Sequence, residues 1–400
     1  MHNKIKKVII VSLIILSGAF LQPLAKGQPI RETNIADSQT LYVKSDSSDY
    51  TSLETLYHKC KKYPAGKFFD MALAGYIKGI NKSENTIDQK VLMFRKAMEI
   101  AGSVEQKKQI LHELAENNTL HSLVFAAKFL DNSILLQDAA EAVTRIILTN
   151  KDLFGPVVKE IIEKVLNLDG GTITGLRTQA LINHLSLLPV ENGYVSLFNG
   201  KDFTGWKGLV GNPLTRPRKE PAKLAEEQIK ADELMNLNWK VEDNKVFYVG
   251  EGYVGEGFDN LCTEKWYGDF ELILDWRTVP NGDGGIYLRG TPQVQIWDPE
   301  IPRKKRGEIT GSGALFNNQK GLNKPLVVAD NPVYEWNTFR ILMTGQSVTI
   351  YLNGQLVMDN VIMENFWDRK MPVSEMESIE LQAHRTRVEY RDIYLREIPR

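Results

Sequence analysis

The sequence predicts two folded units, an all-α region followed by an all-β antiparallel sandwich. At 400 residues the chain is longer than one ordinary hydrophobic core requires. Its composition changes near residue 190, because all seven tryptophans lie after that point. Apolar residues recur with a helical period before this boundary and with a strand period after it. We therefore predict an α-helical domain over 45–190 and a β-domain over 193–400, with an insertion over 208–238.

Residues 1–27 have the pattern of a secretory signal peptide. Lysines precede the apolar run Val8–Leu21, and small residues follow around Ala25. The apolar run is too short for a confident membrane span, so we expect no stable span after cleavage of the signal. The expected location of the protein is the periplasm or the cell exterior.

Charge and cysteine content narrow the class of protein further. The formal net charge is -1, so the protein lacks the broad positive field that nucleic-acid binding requires. A neutral ligand fits this charge better. Cys60 and Cys262 are the two cysteines, one in each predicted domain. Disulfide bonds are therefore not expected to be the main source of stability.

The first domain is predicted to consist of helices joined by very short polar turns. Helical periodicity extends over Val104–Asn117, Leu120–Leu130 and Ile134–Thr149. Helices of this length and spacing resemble HEAT-like repeat pairs. No catalytic constellation is evident in this domain, and scattered histidines in helices are usually structural. We interpret it as a scaffold or docking surface for a protein partner.

The second domain is predicted to be an antiparallel sandwich. Asn353-Gly354 follows a run of strong strand formers, SVTIYL, and Asn-Gly between alternating segments is a hairpin signal. Several strands at this spacing favour a sandwich. The insertion contains prolines and basic residues, then a charged helical stretch, Leu224–Leu237. It is interpreted as a solvated surface helix, with a lid over a ligand site as the alternative.

A polar face is predicted along the strands between Tyr267 and Asp298. Apolar residues alternate with polar ones in the first of these strands, and the turn signal Asn281–Gly284 follows it. Carboxylate, guanidinium, phenol and carboxamide groups on one face are typical of a sugar site, and the alternative is a solvated face. The residues assigned to this face are Asp275, Arg277, Tyr287, Arg289, Gln293 and Gln295.

A second strand, Ile379–His384, places Glu380, Gln382 and His384 on one face. Imidazole side chains accept protons near neutral pH, so His384 is a candidate general base. The alternative is a histidine that only hydrogen-bonds a neighbouring loop.

Several motifs resemble one bacterial family, the 3-keto-glucoside 1,2-lyase/3-keto-2-hydroxyglucal hydratases, also named 3-keto-disaccharide hydrolases. The resemblance covers residues 193–398. It implies a concanavalin A-like jelly roll with a sugar site on its concave sheet. The matching segments are VSLFNGKDFTGW at 195–206, YGDFEL at 267–272, GIYLRG at 285–290, QVQIWD at 293–298, LQAH at 381–384 and YRDI at 390–393.

The resemblance implies cleavage of 3-keto-glucosides by proton removal at C2, elimination at C1 and hydration. His384 is the first candidate for the base and Asp275 the competing one, while Arg289 and Arg277 would stabilise the enolate. Many relatives have a glutamate where this chain has Gln293, so Gln293 is expected only to hydrogen-bond. The residues assigned to substrate binding are Arg277, Tyr287, Gln293, Gln295, Gln382, Glu380 and Trp297.

Three alternatives remain for the chemistry of this site. A divalent metal would polarise the ketone, with Asp275, Asp298 and His384 as its ligands. A conventional glycosidase on this fold would carry two carboxylates, commonly as Glu-x-Asp-x-x-Glu along one strand, and that pattern does not occur in the sequence. A non-catalytic, lectin-like carbohydrate-binding module would stack a sugar on Trp297 or Trp266.

Overall fold

The structure is a computed structural model, described here for residues 52–168, 174–189, 192–250, 259–300 and 311–399. The predicted signal peptide lies outside these residues. Within them, no helix is long and apolar enough to cross a membrane.

Eight helices precede the β-region in the described part of the chain, as predicted from the helical periodicity. Three of them begin with capping boxes, in which Thr86, Ser103 and Thr119 accept from the backbone of the first turn and satisfy otherwise unpaired N–H groups. Their apolar stripes meet in one core. The repeat character stays a prediction. The helices are α1 Leu53–Lys62, α2 Lys67–Lys82, α3 Ile87–Ile100, α4 Val104–Leu114, α5 Leu120–Ala127, α6 Leu136–Thr149, α7 Pro156–Leu166 and α8 Gly175–Leu187.

The β-region consists of two antiparallel sheets. The back sheet has eight strands in the order β11-β10-β9-β6-β13-β4-β3, with β1 beside β13, and the front sheet has the order β2-β5-β12-β7-β8. The strands are β1 Val195–Ser196, β2 Trp206–Gly208, β3 Trp239–Glu242, β4 Lys245–Tyr248, β5 Leu261–Thr263, β6 Phe270–Thr278, β7 Asp283–Leu288, β8 Thr291–Trp297, β9 Asn337–Thr344, β10 Ser347–Leu352, β11 Gln355–Ile362, β12 Glu380–Leu381 and β13 Val388–Glu397.

Alternation along β6 explains how the layers stack. Phe270, Leu272 and Leu274 point into the core between the sheets. Ile273, on the opposite face of the strand, packs into the core of the helical region. The helices therefore cover the outer face of the back sheet, while the outer face of the front sheet stays available for a groove.

The insertion packs against the edge of the front sheet. Its helix, α9 Pro221–Asn238, lies against β2, where Gly208 N–H donates to Asp232 at 2.9 Å and Gln228 donates to Gly208 O at 2.8 Å. A Cβ on Gly208 would come within 2.2 Å of Ala231 O, so the close approach requires glycine. The turn before α9 faces the groove described below.

Candidate active site

A groove of about 610 Å³ lies on the outer face of the front sheet. Its floor comes from β12, β7 and β8, whose register aligns polar side chains in three rows across the strands. One flank comes from the insertion and contributes Lys219. The other flank is built from loops that follow β8 and β11.

The first row places a histidine beside a carboxylate. His384 Nδ1 lies 3.6 Å from Asp283 Oδ2. The other oxygen of Asp283 accepts from Gln295 Nε2 at 2.9 Å and from Trp297 Nε1 at 3.3 Å. These two donors fix the orientation of the carboxylate, so that Oδ2 faces the imidazole. His384 is 32% exposed and remains accessible from the groove.

The second row has a gap at its centre. Gln382 and Gln295 flank Gly285, which has no side chain, and Gln382 N–H donates to Gly285 O at 2.9 Å. A Cβ on Gly285 would lie 3.0 Å from Val294 O and 3.1 Å from the Gln293 side chain. The absence of a side chain there lowers the floor between two carboxamides, directly beside His384 and Asp283.

The third row contains Glu380, Tyr287 and Gln293. Tyr287 pairs with Glu380 in the register of the two strands, and its hydroxyl lies 3.4 Å from Gln382 Nε2. Gln293 Nε2 donates to Gln295 Oε1 at 2.5 Å. Tyr287 and Gln293 line the groove, whereas Glu380 is buried beside them, with 1% of its surface exposed.

The structure thus brings six of the predicted residues together at one groove and adds residues that the sequence reasoning missed. The six are His384, Gln382, Tyr287, Gln293, Gln295 and Trp297. Asp283 was interpreted as part of a turn, but β7 begins at that residue. Counting back in steps of two from Tyr287 through Gly285 would have found it. Lys219 lies in the insertion, and no strand periodicity could have assigned it to the groove.

The assignment of Arg289 to the polar face requires correction. Arg289 is fully buried, with Nη2 2.5 Å from Asp269 Oδ1, and it also donates to Gly268 O at 2.8 Å and to Gly345 O at 2.7 Å. Its φ is +47°, so the backbone turns between β7 and β8 and the alternation of the strand ends there. Arg289 ties this turn to the turn between β9 and β10.

The assignments of Asp275 and Arg277 also require correction. Both lie in β6, which pairs with β9 and β13 in the back sheet, and they point toward the helices. Asp275 contacts Arg95 of α3, and it accepts from Arg391 at 3.1 Å and from Thr338 at 2.6 Å. Arg277 instead pairs with Glu389 Oε2 at 2.7 Å and lies over the ring of Trp336.

The three proposed metal ligands do not converge. Asp275 is in the back sheet, and Asp298 accepts backbone N–H groups from Asn281 at 2.8 Å and from Glu300 at 2.9 Å. Across the part of the chain that the structure describes, no three His, Cys, Asp or Glu side chains form a group suited to a metal. The described residues therefore do not fit the metal hypothesis as it was stated, and no step of the mechanism is assigned to a metal.

A second cavity, of about 750 Å³, lies between the helices and the back sheet. Several of its charged side chains are already engaged with each other or with the protein. Arg95 contacts Asp275, Lys61 lies 3.7 Å from Glu335, and Lys96 donates to an amide oxygen at 3.1 Å. The groove on the front sheet is smaller, but it contains the histidine and carboxylate pair, so we take it as the candidate active site.

Glu380 has an unusual electrostatic environment. Burial is the main cause that raises the pKa of Glu380, Arg216 lowers it and the nearby Glu377 carboxylate raises it, so that the pKa is about 8. Arg216 is itself engaged with Glu377 through two contacts of 2.7 and 2.9 Å. Glu380 is therefore predominantly protonated at neutral pH, beneath the same face that carries Gln382 and His384.

The pKa of Glu380 predicts a pH dependence of stability. In the unfolded chain Glu380 should lose its proton at about pH 4.3, the value seen for glutamate in model peptides. In the folded protein Glu380 keeps its proton up to pH about 8. The folded state therefore binds more protons over this interval, and the free energy of unfolding should fall as pH rises from about 4.5 to about 8. Glu380→Gln should flatten this slope in urea unfolding measured across the interval.

The exposed Glu242 provides the matched control. Glu242→Gln should keep the wild-type slope. An unchanged slope in Glu380→Gln would show that Glu380 is ionised at neutral pH in the folded protein.

The fold and the groove together define an antiparallel β-sandwich with a polar groove on its front sheet. The chain belongs to the family of the 3-keto-alpha-glucoside-1,2-lyase-like domain, whose model matches residues 193–396. The match includes all thirteen strands apart from the last residue of β13, and every residue of the groove.

One curated relative is a 3-keto-disaccharide hydrolase from Bacteroides thetaiotaomicron, 29% identical over 216 residues. The alignment covers 47% of this chain and 66% of the relative, so the chain spans slightly less than two thirds of the relative's length.

Solved structures of low sequence identity also align with this chain. One is a protein of Parabacteroides distasonis that is provisionally assigned as a glycosyl hydrolase, with 22% identity, a TM-score of 0.37, and coverage of 52% of this chain and 95% of that chain. Another is carbohydrate-binding module CBM66 of Bacillus subtilis, with 10% identity, a TM-score of 0.23, and coverage of 39% and 84%.

Proposed function

We propose that this protein cleaves 3-keto-glucosides by removing the proton on C2, eliminating the substituent on C1 and hydrating the product. The observation that carries the proposal is the position of His384 beside Asp283 in the groove of a domain of this family. The jelly-roll topology implied by the resemblance belongs to the same proposal.

The chemistry follows from the ketone at C3. A C3 carbonyl acidifies the hydrogen on C2, because the electron pair left on C2 delocalises into the carbonyl as an enolate. His384 accepts this proton, and the carboxylate of Asp283 stabilises the resulting imidazolium. The enolate then re-forms the ketone as the C1–O bond breaks, and the leaving oxygen takes a proton. Water finally adds across C1 and C2, with its hydroxyl on C1 and a proton on C2.

The negative charge on the C3 oxygen needs donors other than the two arginines first considered. Lys219 lines the groove from the insertion, where Glu227 holds its ammonium at 2.7 Å. The Gln382 carboxamide and the Tyr287 hydroxyl lie on the floor. We assign enolate stabilisation to these groups, since preorganised donors act where charge develops.

A non-catalytic carbohydrate-binding module is the second candidate. The observation that favours it is the aromatic character of one groove flank, where Phe366 is 40% exposed. Exposed aromatic rings commonly hold sugar rings in such modules. A binding module and an enzyme differ in turnover, which a single assay measures.

Turnover of matched substrates tests the proposal. The full chain should release the leaving group from a synthetic 3-keto-glucoside and leave the parent glucoside intact, because only the ketone acidifies C2. The assay is run with and without a chelator, so that a metal requirement becomes visible. Cleavage of the parent glucoside would indicate a conventional glycosidase. Binding of both compounds without release would indicate a binding module.

A further inference from the structure

Two pairs of aromatic residues line the groove, and we call these four residues the aromatic wall: Trp297, Phe316, Phe366 and Trp367. The rings of Trp297 and Phe316 pack edge to face with centroids 5.1 Å apart, and those of Phe366 and Trp367 pack in the same way at 4.9 Å. All four residues line the groove.

Contacts among the loops connect these two pairs. Arg369 Nη1 donates to Asn317 O at 2.8 Å, which joins the loop of Phe366 to the loop of Phe316. The guanidinium of Arg369 also lies 5.4 Å from the ring centre of Phe366. Trp367 Nε1 donates to Gly290 O at 2.7 Å, at the end of the floor strands.

The indole N–H groups of the aromatic wall are therefore already hydrogen-bonded within the protein. Both indole N–H groups bond to the protein, that of Trp297 to Asp283 and that of Trp367 to Gly290. What the wall offers to a ligand is mainly aromatic carbon. The floor, in contrast, offers carboxamides, a phenol, an imidazole and a carboxylate.

We propose that the aromatic wall is the leaving-group subsite and that it takes a planar aryl aglycone in preference to a second sugar. This inference rests on the proposed function, because it assigns the keto sugar to the polar floor and its C1 substituent to the wall.

The physical reason is the difference in hydrogen-bonding demand. A second pyranose carries hydroxyls around its edge, and each hydroxyl that is desolvated against aromatic carbon without a partner is unfavourable. An aryl ring makes no such demand. Its faces and edges match the offset and edge-to-face arrangements that aromatic side chains adopt with one another.

The first experiment compares leaving groups of equal acidity, since a better leaving group alone would accelerate the elimination. The substrates are a 3-keto-glucoside of a substituted phenol, one of a fluorinated alkyl alcohol with the same pKa, and one of glucose. We expect kcat/KM to be about 3- to 10-fold higher for the aryl compound than for the matched alkyl compound, the range expected for one aromatic contact. Equal values, or a higher value for the glucose compound, would overturn the proposal.

The second experiment measures binding of the aryl alcohol alone to the intact protein by fluorescence. Phe366→Ala and Phe316→Ala should each weaken binding about 3- to 10-fold. Phe68→Ala, on the exposed face of α2, is the matched control and should not change it. Binding that is absent, or that is equal in all variants, would overturn the proposal.

The two experiments distinguish failure of this inference from failure of the proposed function. If every 3-keto-glucoside is turned over but the aryl alcohol does not bind, the aryl subsite is rejected and the proposed enzymatic function is retained. If the aryl alcohol binds in a way that depends on Phe366 but no 3-keto-glucoside is turned over, the aromatic site is retained and the proposed reaction is rejected.

Discussion

His384→Ala should abolish release of the leaving group from a 3-keto-glucoside while the protein stays folded. Loss of a general base typically lowers the rate about 10²- to 10⁴-fold. The His384 side chain is 32% exposed and belongs to the groove, so its removal should not disturb the core. The measurement is kcat and kcat/KM for one 3-keto-glucoside, with circular dichroism and the thermal unfolding midpoint as checks of folding.

Two variants serve as controls for this result. His58→Ala removes an exposed histidine of α1 whose side chain is 70% exposed, and it should keep full activity. Asp283→Asn keeps the shape of the carboxylate but removes its charge beside Nδ1, so it should lower kcat more than it changes KM. Undiminished turnover in His384→Ala would exclude His384 as the base and leave the floor without its proposed catalyst.

Asp275→Ala should destabilise the protein by about 3–5 kcal/mol, the effect expected when one partner of a buried ion pair is removed. Asp275 is 1% exposed, and its removal leaves the guanidinium groups of Arg95 and Arg391 without their shared carboxylate. Since these side chains join the helices to the back sheet, the loss should appear in the urea unfolding midpoint of the whole described unit. Asp131→Ala removes an exposed partner of Lys164 and should cost less than about 1 kcal/mol.

The pKa of Asp275 also predicts how the stability of the protein changes at acidic pH. Although burial opposes ionisation, Arg95 and Arg391 hold the pKa of the Asp275 carboxyl well below its usual range. Its contribution to stability should therefore be present above about pH 4 and be lost as pH falls toward the depressed folded pKa. Asp275→Ala should show a weaker loss of stability in acid than the wild type. If Asp275→Ala instead unfolds like the wild type but lacks activity, Asp275 is catalytic rather than structural.

Local periodicity predicted the elements of this protein well. The helices at Val104–Leu114 and Leu120–Ala127 and the strand at Phe270–Thr278 lie where the apolar spacing indicated them. The faces of individual strands were also predicted correctly, since the side chains of Gln382 and His384 share one face. These features depend on neighbours within a few residues, and such neighbours are visible in the sequence.

Pairing between strands could not be predicted in the same way. Asp275 and Tyr287 lie on their strands as expected, but the chain crosses from the back sheet to the front sheet between β6 and β7, so the two residues occupy different layers. A period of two shows which residues share a face of one strand, but not which sheet that strand joins. The assignment of Arg289 to the polar face was wrong for a related reason. The positive φ of Arg289 ends the alternation of side chains one residue after β7.

The residue pattern was sufficient to identify a helical region, a β-region and the family motifs that belong to the latter, because each of these depends on order along the chain. Which side chains come together in space could be seen only in the folded protein. Asp283 at the start of β7 meets His384, which follows the end of β12, and Lys219 lines the groove from an insertion. Arg289 and Asp275 are held in buried ion pairs elsewhere. Contacts between residues far apart in sequence set the charge, burial and reach of each side chain, and these properties decide which polar residues can act on a substrate.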